Sequence, residues 1–217
     1  MKLNTIPITK RGGFMRYLAD LSVIALLLFP LSAHAIPVTF TASLSGANEN
    51  PAIVTPATGL ATVILDAQAH TIQINVIFSG LTSSTQAAHI HCCAASPGNA
   101  GVATTVPAFP GFPLGVTTGN YSSPVLLLTD AGTYNPAFVS AQGGLGQAEA
   151  TLVNGIQNNL TYLNIHTVTN AGGEIRGQLT AESVSVPEPS SFVLLGSGIV
   201  GFVLMWRRSR ALLPLVS

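Results

Sequence analysis

Between Val38 and Thr180 the chain alternates apolar and polar residues in short runs rich in Val, Ile, Thr and Phe. Alternation of period two puts the apolar side chains of a strand on one face and the polar ones on the other. The pattern therefore predicts strands at Val38 to Leu44, Leu60 to Leu65, Thr71 to Phe78, Gln86 to His91, Val125 to Leu128, Leu160 to Thr167 and Glu174 to Thr180. Turn-forming residues stand between them: Ser79-Gly80, Asp130-Ala131-Gly132 and Asn170-Ala171-Gly172-Gly173. One segment departs from the rule. Ala148, Leu152 and Ile156 recur at helical spacing and predict one short helix over Gln147 to Ile156. Pro97 to Gly119 holds four prolines and five glycines and reads as a long ordered loop. Many short strands with little helix imply an all-β fold, an antiparallel β-sandwich.

Two apolar runs lie outside this region. Leu21 to Leu31 follows Lys2, Lys10, Arg11 and Arg16 and precedes the small-residue stretch Ser32-Ala33-His34-Ala35. That order is a secretory signal, so residues 1–35 are expected to form a signal helix removed by signal peptidase after Ala35. A retained anchor is the alternative, though the run is shorter than the ~20 residues that a span requires. The second run, Phe192 to Trp206, is fifteen residues long and is followed by Arg207, Arg208 and Arg210. As a membrane helix it covers about three quarters of a ~30 Å hydrocarbon core. The arginines place its C-terminal end in the cytoplasm and the body outside. The expected organisation is a signal peptide over 1–35, one domain over 36–183, and a sorting or anchor segment over 184–217.

Charge changes the picture more than composition does. The formal net charge is zero, but seven of the eight bases lie in the terminal segments. From Ile36 to Val186 six acids (Glu49, Asp66, Asp130, Glu149, Glu174, Glu182) face one base, Arg176. A nucleic-acid surface needs several Lys or Arg to displace phosphate counterions, so nucleic acid is excluded as a partner.

The C-terminal residues Pro187-Glu188-Pro189, the short Gly-containing apolar run and the closing arginines, Arg207 and Arg208 among them, resemble the bacterial PEP-CTERM sorting signal. The resemblance implies cleavage near the Pro-Glu-Pro by an exosortase, a membrane-embedded cysteine protease, in a Gram-negative-type bacterium. It also implies delivery to the cell surface or an exopolysaccharide matrix. A plain tail anchor is the alternative reading. Within the body, Ala88-His89-Ile90-His91, Tyr162-Leu163-Asn164-Ile165-His166-Thr167 and Gly172-Gly173-Glu174-Ile175-Arg176-Gly177-Gln178-Leu179 resemble the CHRD domain, a module named from chordin. Gly46-Ala47-Asn48-Glu49-Asn50-Pro51 is similar to its opening segment. Cys92-Cys93 stands where many such sequences carry Gly. The resemblance implies a β-rich fold and assigns no activity.

Strand parity puts His89 with His91, Tyr162 with Asn164 and His166, and Glu174 with Arg176, each set opposite aliphatic neighbours. If these strands adjoin, one sheet face collects three imidazoles, a carboxylate and the one guanidinium. His89, His91 and His166 are thus candidate ligands for copper or zinc, with Cys92 and Cys93 as possible thiolate additions. A His-x-His strand on a sandwich that is immunoglobulin-like or superoxide-dismutase-like resembles the copper/zinc superoxide dismutases. Their bimetallic site needs more histidines than these three, since His34 leaves with the signal and His70 lies by a turn. The rival reading has the histidines hydrogen-bond with Asn164, Thr167 and the long loop. Glu174 and Arg176 are expected to form a structural ion pair. The adjacent cysteines, in an oxidising compartment, suggest a vicinal disulfide; ligation and intermolecular pairing stay open.

No nucleophile elbow, paired carboxylates or phosphate-binding glycine loop can be identified. The expectation is a non-enzymatic binding or scaffolding module in the envelope or matrix. The alternative is a copper or zinc protein built on the three histidines.

Overall fold

A computed structural model of the chain describes residues 36–182 and, near the C-terminus, positions 198, 199, 201–203, 205 and 207. The expected signal segment 1–35, Pro187, Glu188, Pro189 and Arg208 lie outside the described residues; Arg207 is an exposed helical position. Among the described residues no helix is long and apolar enough to cross a membrane.

The described body contains β1 (Val38–Ser45), β2 (Thr58–Asp66), β3 (Thr71–Ser79), β4 (Thr85–Cys92), β5 (Gly101–Val102), β6 (Gly119–Ser122), β7 (Leu126–Leu127), β8 (Thr161–Thr167), β9 (Ile175–Gln178) and β10 (Thr180–Ala181). Two α-helices, α1 (Pro136–Gln142) and α2 (Leu145–Gln157), lie between β7 and β8. The strand order is β5-β4-β8-β9-β1-β2-β3-β6, with β7 on β3 and β10 on β1.

This is one antiparallel sheet curled into a half-barrel rather than the two separate sheets of the expected sandwich. The reason lies in the segment from Ile175 to Ala181. Its first part pairs with β8, Tyr162 opposite Gln178. Past Leu179, Thr180 and Ala181 pair instead with Thr41 and Phe40 of β1. A strand that changes partner makes a corner. The corner is stitched by the register pair Ser45 and Arg176 between β1 and β9. At Gly177 a Cβ would stand 2.4 Å from the Ser43 carbonyl oxygen, so the close approach of the two halves requires glycine there.

The concave side holds one core. Val63 and Ile74, paired across β2 and β3, join Ile90, Leu163, Ile165 and Ile175 from the other half. Helix α2 closes it with Ala148, Leu152 and Ile156, the residues whose spacing predicts the helix. Each fully buried aliphatic side chain contributes roughly 1.5–3 kcal/mol.

Helix α1 was not expected from the periodicity. Its start is nonetheless written locally: the Asn135 side chain accepts from the Ala137 N–H, Pro136 opens the first turn, and Gly143 ends it in the left-handed region at φ 86°. The Pro97–Gly119 loop is ordered and carries β5. It runs along the free edge of β4, where Ala103 N–H donates to Ile90 O, Phe109 N–H to Ala88 O and Gly115 N–H to Thr85 O. Backbone groups that an edge strand would expose are satisfied in this way without a regular partner.

Candidate metal centre

Strands β4 and β8 are antiparallel neighbours, with His89 opposite Asn164, His91 opposite Tyr162 and Ala87 opposite His166. His166 is therefore two residues along β8 from His89's partner, and the three imidazoles share a face. The opposite face carries Ile90, Leu163 and Ile165 into the core. Every residue of β8 is buried. The polar face is thus not a solvent face. The Pro97–Ala100 and Ala171–Gly173 segments cover it, which parity along single strands does not reveal.

The imidazoles converge. One donor atom from each of His89, His91 and His166 lies within 4.8 Å of the other two. His91 Nδ1 is 2.8 Å from the Ala100 carbonyl oxygen and His166 Nδ1 is 3.0 Å from that of Ala171. A carbonyl oxygen only accepts, so both Nδ1 atoms carry the proton and donate it. In each neutral ring Nε2 is then a bare lone pair. These two lone pairs face each other at 3.4 Å. His89 Nδ1 approaches the same His91 Nε2 at 3.2 Å. Fixing of the ring by a carbonyl on its far nitrogen is the arrangement that orients metal-ligating histidines.

Burial disfavours the charged form of all three. It lowers His89 to about 3, helped by His166 and His91. It lowers His91 to about 4 against the Ala100 carbonyl, which favours the proton, with His166 and Arg176 pushing the same way as burial. His166 is lowered by burial as well, opposed by the Ala171 carbonyl. Neutral imidazole is the ligating form, so protons do not compete for these nitrogens near neutrality.

A stack extends from the cluster. Tyr162 lies on the His91 ring with centroids 4.7 Å apart and planes 8° from parallel. The Arg176 guanidinium caps the tyrosine ring at 4.6 Å. Arg176 in turn donates to Asn48 O at 2.5 Å, Asn99 Oδ1 at 2.6 Å and Pro97 O at 2.8 Å. It thereby holds the loop that supplies the Ala100 carbonyl to His91.

The expected pairing of Glu174 with Arg176 is corrected. The acid facing Arg176 is Glu49, with Nε to Oε2 3.9 Å. Glu174 is occupied elsewhere: Thr55 Oγ1 and Thr82 N–H donate to its Oε1 at 2.7 and 2.8 Å, and Thr167 Oγ1 to its Oε2 at 2.7 Å. Burial raises its pKa, but these hydrogen bonds outweigh burial and hold it below the ordinary carboxylate value.

The cysteines also stand apart from the imidazoles. Cys92 and Cys93 are bonded to each other, and both sulfurs abut Gly155 of α2, where a Cβ would meet them at 2.6 and 2.8 Å. A disulfide sulfur is not a thiolate, so the considered cysteine ligation does not occur in this structure. His70 is likewise remote in role, pairing with Glu149 of α2 at 2.5 Å.

Glu49 is the site residue that motif reasoning passed over. Its partners lie more than a hundred positions away in sequence, and its one signal was membership of the Gly46–Pro51 segment.

A single curled antiparallel sheet bearing this cluster defines a β-rich module, and sequence comparison gives its family. Residues 40–179 match the CHRD domain, so the chain belongs to the CHRD domain family. Residues 185–209 match the PEP-CTERM protein-sorting motif, which marks the protein for exosortase-dependent sorting to the cell surface. No curated protein and no solved structure matches the chain.

Proposed function

We propose that this protein is a surface-directed metal-binding module in which His89, His91 and His166 hold one copper or zinc ion, and that it acts by binding rather than by turnover. The observation that carries the reading is the pair of Nε2 lone pairs, each fixed inward by a carbonyl on the far nitrogen and set 3.4 Å apart. Two bare lone pairs repel unless a cation lies between them. Tetrahedral ligands on bonds of about 2.0–2.1 Å stand roughly 3.3 Å from one another. The separations of 3.2 and 3.4 Å match that edge.

Three imidazoles suit zinc or copper, and with zinc they leave a fourth position for water or an incoming group. The sorting motif supports delivery of such a module to the cell surface, where exopolysaccharide or other matrix components are its neighbours.

The test is elemental analysis of the protein purified from the periplasm without an affinity tag, beside His89→Ala/His91→Ala and His166→Ala. Near-stoichiometric copper or zinc in the wild type, lost in both variants, is expected. No metal in a folded wild type, with variants that are merely less stable, would return the histidines to a hydrogen-bonded role in a scaffolding module. Robust turnover of superoxide or polysaccharide would overturn the non-enzymatic part.

A further inference from the structure

Two buried oxygens close to the histidine cluster lack hydrogen-bond partners among the described residues: Glu49 Oε1 and Asn164 Oδ1. Both lie at Gly173, where a Cβ would stand 2.7 Å from each of them. Glu49 is 8% exposed and Asn164 2%. An unsatisfied buried acceptor costs about 1–3 kcal/mol, more if charged. Both oxygens approach the same point at Gly173, so a single group placed between them would serve both.

The geometry around Glu49 is not that of an anion. Carboxylates beside a guanidinium draw charge-assisted bonds of about 2.7–2.9 Å. Here Arg176 stands off at 3.9 Å and donates to neutral oxygens of Asn48, Pro97 and Asn99 instead. Glu174 supplies the internal contrast. It is also buried, accepts three short hydrogen bonds, and is thereby held as a charged carboxylate. Glu49 has no such set of three; the Asn164 amide is the hydrogen-bonding side chain beside it.

We infer that Glu49 and Asn164 form a buried proton-binding site, in which the neutral Glu49 carboxyl carries a proton on Oε1 and donates it to Asn164 Oδ1. One hydrogen satisfies both oxygens. Arg176 is the charged group facing Glu49 and favours the carboxylate, but it does so from 3.9 Å; Asn164 on β8 and Gly173 in the β8–β9 loop are neutral. Gly173, at φ 127°, leaves the space that the pair occupies. Burial, opposed by Arg176 and the Asn164 amide, raises the carboxyl to about 7. The inference does not depend on metal binding by the histidines.

The experiment is a pH titration of the Glu49 carboxyl carbon by NMR in the chelator-treated, metal-free protein, with Glu49→Gln to assign the resonance. Glu49→Asp serves for assignment should the Gln variant fail to fold. A midpoint near 7 is expected. A midpoint at or below the unperturbed value of about 4.3 would overturn the proposal. It would show Asn164 in the reversed amide orientation, donating to a charged carboxylate.

Discussion

Glu49 and Glu174 show how far donors decide the state of a buried acid. Both are removed from water, yet only Glu174 is given the hydrogen bonds that keep a carboxylate charged. The imidazoles beside Asn164 carry the opposite lesson, since burial keeps them neutral. Because His89 and His91 titrate at about 3 and about 4 in the fold but near 6.5 when unfolded, the unfolded chain binds more protons between those limits. Their contribution to stability is present above about pH 6.5 and lost as pH falls toward 4. Glu49 acts with the other sign: its raised value means stability falls as pH rises from about 4.3 to about 7. In metal-free Glu49→Gln protein, where only the imidazole effect remains of the two, the urea unfolding midpoint is therefore expected to drop between pH 6.5 and pH 4. A flat profile would mean that the imidazoles accept protons within the fold.

Among the elements, β4 and β8 were legible in sequence because polar and apolar residues alternate from Ala88 to His91 and from Tyr162 to His166, with Leu163 and Ile165 marking the core face. Helix α2 was legible for the same reason at the helical period. Strands β5 and β6 were not, since Gly101–Val102 and Gly119–Ser122 are too short to show a period. Helix α1 lay within reach through its cap, Asn135-Pro136, though its seven residues carry little periodicity. The site was legible in its ligand-type residues and not in its surroundings. Strand parity brings His89, His91 and His166 to one face, but the lid of loop backbone that fixes their protons depends on Arg176 reaching Asn99 and Pro97. That is a contact between segments with no shared local pattern. Packing of α2 on β4 offers a direct check at this scale. Gly155→Ala would drive a methyl group into the sulfurs of Cys92 and Cys93. A loss of about 1–3 kcal/mol in chemical denaturation is expected for such overpacking. A variant as stable as wild type would show that the helix can shift away at no cost.

For the molecule as a whole, the corner at β9 and β10 replaces the gap between two layers that a sandwich would have. Seven strands with alternating faces predict two sheets, because pairing between distant strands leaves no mark in local alternation. Gly177 is where that corner is most exposed to insult. Gly177→Ala places a methyl group 2.4 Å from the Ser43 carbonyl oxygen, a backbone atom that cannot swing aside as a side chain would. The expected loss is about 3 kcal/mol or more, at the upper end for overpacking. It is expected to appear as lost amide protection in β1 and β9 together in hydrogen exchange. Protection lost in β9 alone would show that the two halves are not joined there energetically.

The same corner ties the two ends of the domain together. Strand β1 is among the first described residues, yet it finds β10 only across a separation of 139 positions, as between Thr180 and Thr41. Contacts so distant in sequence close late and slowly. The wall of the half-barrel cannot be completed without Ala181, and the sorting motif begins at residue 185. The last residues that the sheet needs and the first residues of the sorting motif thus lie within a few positions of each other. A chain cut short before that point would carry neither a closed sheet nor a sorting signal.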